Sequence, residues 1–280
     1  MTHAFLPDRA FIEIGGADAE SFLQNLITTD LAGLEAGEAA PGALLTPQGK
    51  ILFLFLISRR EGGFRLETDS ASRDNLLKRL TMYRLRAAVT LDATDGSGVS
   101  VHWDEPAAGL RDRRFARAGV TLVREPGNGA AEGSDIGAYE ALRVAHGIAE
   151  KPADHAEGDA FPHDILLDLS GGLSFRKGCY VGQEVVSRMQ HRGTARRRLV
   201  TVKAEAPLAA SGAPLTTGGK ALGPLGTVSG NRALAIVRTD RAGQAMANGQ
   251  PILADDKPVS LTLPAWSGLA FPTDSAGDEA

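Results

Sequence analysis

The chain has 280 residues, with 30 Lys and Arg against 34 Asp and Glu, a net charge of −4. Hydrophobic residues make up 43% and charged residues 23%, which excludes a mainly disordered, collagen-like or disulfide-built chain. The mild acidic excess gives no global attraction to nucleic acid or an anionic membrane, and about 150 residues per domain suggests two domains.

Ala10–Ile14 reads as a strand, Gly15 and Gly16 turn the chain, and Asp18 caps a helix bearing Phe22, Leu23, Leu26 and Ile27. Residues 42–46 form a weak strand, and 51–58, almost wholly apolar, suit a strand buried on both faces. A hairpin loop at 59–63 leads to an alternating strand at 64–68. Asp69 or Ser70 starts a second helix with Leu76, Leu77, Leu80 and Tyr83 on one face, and 85–91 alternate again as a strand. The order β-α-β-β-β-α-β predicts a ferredoxin-like or related sheet covered by two helices. Strands are expected at 99–103 and 119–124, loops at 104–110 and 125–134, and a helix at 135–146. Residues 150–175 read as an irregular excursion and 182–189 as a short helix. From 199 onward, short strands broken by Gly and Pro predict a small barrel of about six strands. Thr217–Lys220 and Asp255-Asp256 supply its tight turns. The last residues, 267–280, read as a frayed acidic tail.

The densest chemistry lies at 175–198. Cys179 is the one cysteine, so an intrachain disulfide and a site of several thiolates are excluded. Arg176 and Lys177 precede it, Gly178 and Gly182 allow turns or close approach, and Glu184 and Arg188 stand at i,i+4 spacing. A thiol beside cations and a helix N-terminus ionises more readily, the condition for a nucleophile, a redox thiol or a soft-metal ligand. The alternative is a small buried hydrophobe. No acidic residue separates Glu184 from Glu205, while Arg188, His191, Arg192, Arg196, Arg197, Arg198 and Lys203 do. This local patch suits a polyanion such as a polyglutamate tail, a phosphate or RNA, or is a solvated basic loop. Aromatic residues are only 5%, which disfavours a base-stacking platform. His146, His155, His163 and His191 are dispersed and read as surface or structural, so no metal site is expected. Dinucleotide, P-loop and nucleophile-elbow motifs are missing from the sequence. The start has no basic-then-apolar pattern, and the longest apolar run, Ile51–Ile57, falls far short of the roughly 20 residues of a membrane span. A cytoplasmic location with a reduced thiol and no membrane partner is expected.

Lys177-Gly178-Cys179-Tyr180-Val181-Gly182-Gln183-Glu184 resembles the Lys-Gly-Cys-(Phe/Tyr)-x-Gly-Gln-Glu motif of the YgfZ family. These are folate-binding proteins related to the glycine-cleavage T-protein, and the family includes a mitochondrial factor for late 4Fe–4S cluster assembly. Other segments agree in order: Gly16–Asp18 with Phe22–Gln24 and Thr29-Asp30, Leu45–Lys50, Tyr139–Arg143 with Gly147-Ile148, Phe161-Pro162, Leu167-Asp168, Ser174-Phe175, Arg192-Gly193 and Arg197-Arg198. The resemblance spans roughly residues 6–265.

It implies an α+β fold: a T-protein-like folate-binding core of ferredoxin-like type plus a C-terminal β-barrel. The implied parts are 1–95, 96–195 ending in the motif, a barrel at 196–266, and a disordered tail at 267–280. Two positions depart from the family. Phe53 and Leu54 stand where the T-protein carries catalytic carboxylates, which argues against glycine cleavage, and Arg9 stands where relatives carry a folate-lining aromatic. The resemblance further implies tetrahydrofolate, or a one-carbon derivative, as cofactor. Cys179 would act as the thiolate, with Lys177 lowering its pKa. Tyr139 would stack on the pterin, while Arg143, Arg188 or Arg192 would meet its glutamate; the alternative is that Tyr139 is a core residue and Arg143 a surface charge. The implied partners are folate and iron–sulfur assembly proteins or client apoproteins. A folate-dependent transferase or a tRNA-modification factor is the alternative, with tRNA as a possible partner.

Overall fold

The computed structural model describes residues 2–94, 98–105, 107–127 and 134–272. The chain divides into two units, one of Met1–Tyr139, Glu157–Pro162 and Leu167–Ser187, the other of Glu140–Ala156, His163–Leu166 and Arg188–Ala280.

The first unit is built on a nine-stranded sheet. Its strands are β1 (Thr2–Leu6), β2 (Arg9–Gly15), β3 (Glu38–Leu45), β4 (Ile51–Arg60), β5 (Gly63–Asp69), β6 (Thr90–Ala93), β7 (Val99–Trp103), β8 (Leu110–Asp112) and β9 (Leu122–Pro126). They lie in the order β1-β7-β9-β8-β3-β4-β5-β2-β6, antiparallel except for the short β3–β8 contact. Period-two alternation places Ile12 and Ile14, Phe53, Phe55 and Ile57, and Phe64 and Leu66 in one core. Helix α1 (Ala19–Gln24) adds Phe22 and Leu23 to that core, and α2 (Ser70–Arg84) adds Leu76 and Leu80. Each such side chain, fully buried, stabilises by about 1.5–3 kcal/mol. Asp69 caps α2 by accepting the Ser72 N–H at 2.9 Å.

The expected β-α-β-β-β-α-β order is present, with corrections. Asp18 stands before α1 without capping it, because its carboxylate accepts the Ala88 N–H at 2.8 Å. The last strand starts at Thr90, not 85. Leu85 ends α2 at φ 43° and is 89% exposed, so the apolar alternation there does not mark a pleated surface. Strands β1 and β8 and helix α3 (Arg113–Arg117) were not foreseen. The weak strand proved to be eight buried residues. It contains Pro41, which donates nothing to a ladder. Beside its ladder with β4, threonine hydroxyls bond its backbone: Thr29 Oγ1 donates to Pro41 O at 2.8 Å, and Ala43 N donates to Thr28 Oγ1 at 2.9 Å.

Helix α4 (Ile136–His146) runs from the first unit into the second, and so does α5 (Gln183–Arg192), longer than the expected 182–189. The second unit holds a closed barrel of β10 (Arg197–Ala204), β11 (Pro214–Thr217), β12 (Lys220–Ser229), β13 (Arg232–Arg238), β14 (Ile252–Ala254) and β15 (Lys257–Thr262). Val200, Val202, Leu215, Leu225, Val237 and Leu261 fill it. Both expected tight turns are present, with Gly218, Gly219, Asp255 and Asp256 all at positive φ. Helix α6 (Thr239–Ala247), between β13 and β14, was not foreseen. Among the described residues no helix is long and apolar enough to cross a membrane. Parts of the expected loops and tail, residues 106, 128–133 and 273–280, lie outside the described residues.

Candidate functional site

The motif loop is held from inside. Thr28 Oγ1 donates to Gly172 O at 2.6 Å, and Ser174 N donates to Thr28 O at 2.9 Å, so the loop starts on the threonine that also bonds β3. Ser174 then organises the turn. Its Oγ accepts the N–H groups of Arg176 and Lys177, both at 3.2 Å, and its carbonyl accepts the Tyr180 hydroxyl at 3.1 Å. Lys177 is buried, and its ammonium donates to the carbonyls of Gln24 (2.6 Å), Ile27 (2.6 Å) and Thr29 (3.0 Å) at and beyond the end of α1. Burial brings Lys177 down to about 8, opposed by Asp30, which raises it. Burial also raises the Tyr180 phenol. Gly182 sits at φ 79°, and a Cβ there would lie 2.5 Å from Thr46 O. Only glycine fits this approach. Helix α5 starts at the next residue, Gln183, with Glu184 exposed in its first turn.

Arg176, Gly178 and Cys179 are exposed on this frame. The bland reading of the thiol as a buried hydrophobe is therefore set aside. The three ammonium protons of Lys177 have three carbonyl acceptors, which fixes the side chain under the loop. Gly178 does not need glycine for a turn: it has no left-handed φ, and a Cβ there would meet nothing within 4 Å. An open cleft of about 310 Å³ adjoins the loop, lined by Asp30, Arg113, Leu173, Ser174, Phe175 and Arg176 among others.

The central helix differs from expectation. Tyr139 is fully buried, with ring centroids 6.5 Å from Trp103 and 6.1 Å from Phe115. A pterin could stack on it only by displacing that core. Arg143 is 2% exposed. It donates to Glu140, to Asp154 Oδ2 (3.0 Å), to Ile148 O (2.8 Å) and to Thr227 Oγ1 (3.1 Å), and its Nε lies 3.8 Å from Glu150. These two residues do not fit a folate contact. Arg188 and Arg192, on α5, are exposed, as are His191 and Arg196.

Two polar clusters had no sequence signal, because their members are far apart in the chain. In the first unit, Arg124 is 1% exposed and donates to both carboxylate oxygens of Glu67 and to Asp112 at 3.3 Å. In the second, His163 and Asp164 are buried; His163 Nε2 lies 3.2 Å from Gln190 Oε1 and its carbonyl accepts from Arg198 at 2.9 Å. Asp164 lies 3.8 Å from Arg197. Among the described residues, no group of three or more His, Cys, Asp or Glu is arranged to hold a metal ion.

The fold is that of the glycine-cleavage T-protein. The crystal structure of glycine cleavage system aminomethyltransferase T from Bartonella henselae matches with a TM-score of 0.71 at 16% identity, covering 94% of this chain and 86% of that one. The model of the CAF17 C-terminal beta-barrel domain matches residues 196–269. The mitochondrial iron-sulfur cluster assembly factor IBA57 of Mus musculus is 32% identical over 275 residues, covering 84% of this chain and 77% of its own length. The Homo sapiens protein of that name is 31% identical over 274 residues, with the same two coverages. The chain belongs to the IBA57 family.

Proposed function

We propose that this chain is a tetrahydrofolate-binding accessory factor for 4Fe–4S cluster assembly or repair, working through Cys179 in the manner of the YgfZ branch. The observation that carries this reading is the exposure of the sole cysteine between the buried and bonded Lys177 and Tyr180, in a relative of IBA57. An exposed thiolate is a soft ligand for a cluster intermediate. Iron–sulfur clusters are held by about four thiolates. One cysteine therefore leaves the remaining ligands to an assembly protein or client apoprotein, the partner class we assign. The proposed compartment is reducing, the cytoplasm. Exposed Arg188 and Arg192, four residues apart on α5, are the groups offered to the glutamate carboxylates of folate.

The test is complementation of a null strain with Cys179→Ser, read as the activity of 4Fe–4S enzymes under oxidative stress. Loss of complementation by a variant that is folded and as abundant as the parent is expected; full complementation sinks the reading. A second reading, a folate-dependent factor for tRNA modification, is favoured by exposed Arg188, Arg192 and Arg196. The same null strain separates the two: a primary tRNA-modification defect that Cys179→Ser rescues supports this second reading.

A further inference from the structure

We propose that the end of α2 and the groove beside it form a docking surface for an acidic protein segment with apolar side chains on one helical face. This surface is distinct from the thiol loop, and the inference does not depend on the chemistry proposed for Cys179.

Three observations meet there. Of four large apolar side chains exposed among the described residues, two are Met82, 62% exposed, and Leu85, 89% exposed, one turn apart. Leu85 also holds φ 43°, a strained conformation for a residue with a branched side chain, at a helix end where glycine usually stands. Such strain with nothing packed against the side chain points to a contact outside the chain. Next, a groove of about 290 Å³ opens beside Tyr83 and Ala87, lined also by Phe22, Leu26, Ser21, Asn25 and Asp18. Finally, the surface is basic within an acidic protein. No acidic residue lies between Asp74 and Asp92, whereas Lys78, Arg79, Arg84 and Arg86 do. Lys78, Arg84 and Arg86 are exposed, Arg79 is half-buried, and the nearby Asp18 carboxylate is turned to the Ala88 N–H.

Charge complementarity selects the occupant. The cations call for carboxylates, and the groove with Met82 and Leu85 calls for apolar side chains at helical spacing. A lipid surface fits less well, since two protruding apolar side chains are a small insert and the groove is concave with polar residues in its lining. RNA would leave Met82, Leu85 and the groove without partners. Helix α1 lines this groove with Ser21, Phe22, Asn25 and Leu26, and its end supplies Gln24 O to Lys177 of the thiol loop. A segment docked here therefore sits on the same short helix that anchors the Cys179 loop.

The test is fluorescence anisotropy of a labelled synthetic peptide, leucines on one helical face and glutamates elsewhere, titrated with the full chain at low salt. Saturable binding is expected, weakened about tenfold or more by Leu85→Asp and by Arg84→Glu with Arg86→Glu. A peptide of the same composition with its leucines spread around the helix is expected to bind at least as weakly as those variants do. Leu85→Gly, which relieves the backbone, is expected to lose affinity while melting no lower than the parent, so weakened binding is not misfolding. Absence of peptide binding, or equal affinity in Leu85→Asp, overturns the proposal. Binding of phosphatidylserine vesicles or tRNA with the same Leu85 dependence, and none of the peptide, also overturns it.

Discussion

The loop around Cys179 and the central helix α4 both carry residue types suited to a site, and they are built in opposite senses. In the loop, Lys177 and Tyr180 are buried and bonded while Cys179 faces solvent. In α4, Tyr139 and Arg143 are buried, the first among aromatic rings and the second among carboxylates. The loop spends its polar groups on holding one reactive group out, whereas α4 uses its polar groups to hold itself in. Availability, more than residue type, separates a site from its scaffold.

The sharpest way to break this contrast is Arg143→Ala. It leaves the buried Asp154 and partly buried Glu150 and Glu140 without their common cation. Stripping one partner from a buried ion pair costs about 3–5 kcal/mol, and urea unfolding should show a loss of that size. Unchanged stability would return Arg143 to the ligand-binding role. On the loop side, Lys177→Met keeps the length but removes the bonds to Gln24, Ile27 and Thr29. The expected cost is about 2–4 kcal/mol, discounted because freed carbonyls at a helix end can take water. Limited proteolysis should cut first within 172–182, and cleavage unchanged from the parent would show that Lys177 does not anchor the loop.

A finer comparison lies inside the motif. Gly182→Ala forces a side chain into left-handed backbone 2.5 Å from Thr46 O, at an expected cost of about 1–3 kcal/mol. Gly178→Ala meets nothing within 4 Å, so it should be within about 0.5 kcal/mol of the parent or slightly more stable. Thermal melts of the two variants check this. Equal losses would mean that the loop packs differently.

These contrasts show what was legible in the sequence. Strand β4 was readable from its apolar run, β5 from period-two alternation, α2 from its helical spacing, and the barrel from short strands broken by turns with Gly or Asp at positive φ. Helix α6 was missed because its sequence is mostly small and polar, with Gly243 inside it. Leu85 looked like the start of a strand, since apolar alternation does not say whether a side chain is covered. Around the site, Cys179 stood out by its motif. Tyr139 stayed open between pocket and core because an aromatic at helical spacing reads the same in both, and it is buried. The contacts that define the loop, such as Lys177 with Gln24 and Ser174 with Thr28, join residues about 150 positions apart and leave no local spacing to read.

The smallest effect expected is a gain, and its sign comes from Glu140. Burial raises this carboxyl above its ordinary 4.5; Arg143 opposes that, and Glu150 and Asp154 add to it. The folded chain therefore holds the Glu140 proton more tightly than the unfolded chain. Above the raised value the ionised side chain lowers stability by its full amount, and below about 4.5 both states are protonated and the penalty is gone. Glu140→Gln cannot ionise and still accepts from Arg143. It should be more stable than the parent at neutral pH, with the gain fading as pH falls through the window towards 4.5. A third of the Glu140 side chain is exposed, and solvent screening limits the gain to about 0.5 kcal/mol. Urea unfolding of both proteins at neutral pH and near pH 4 measures it. A loss of stability at neutral pH would show that Arg143 needs all three carboxylates, and that the cluster in α4 is balanced where its charge count says it is overfilled.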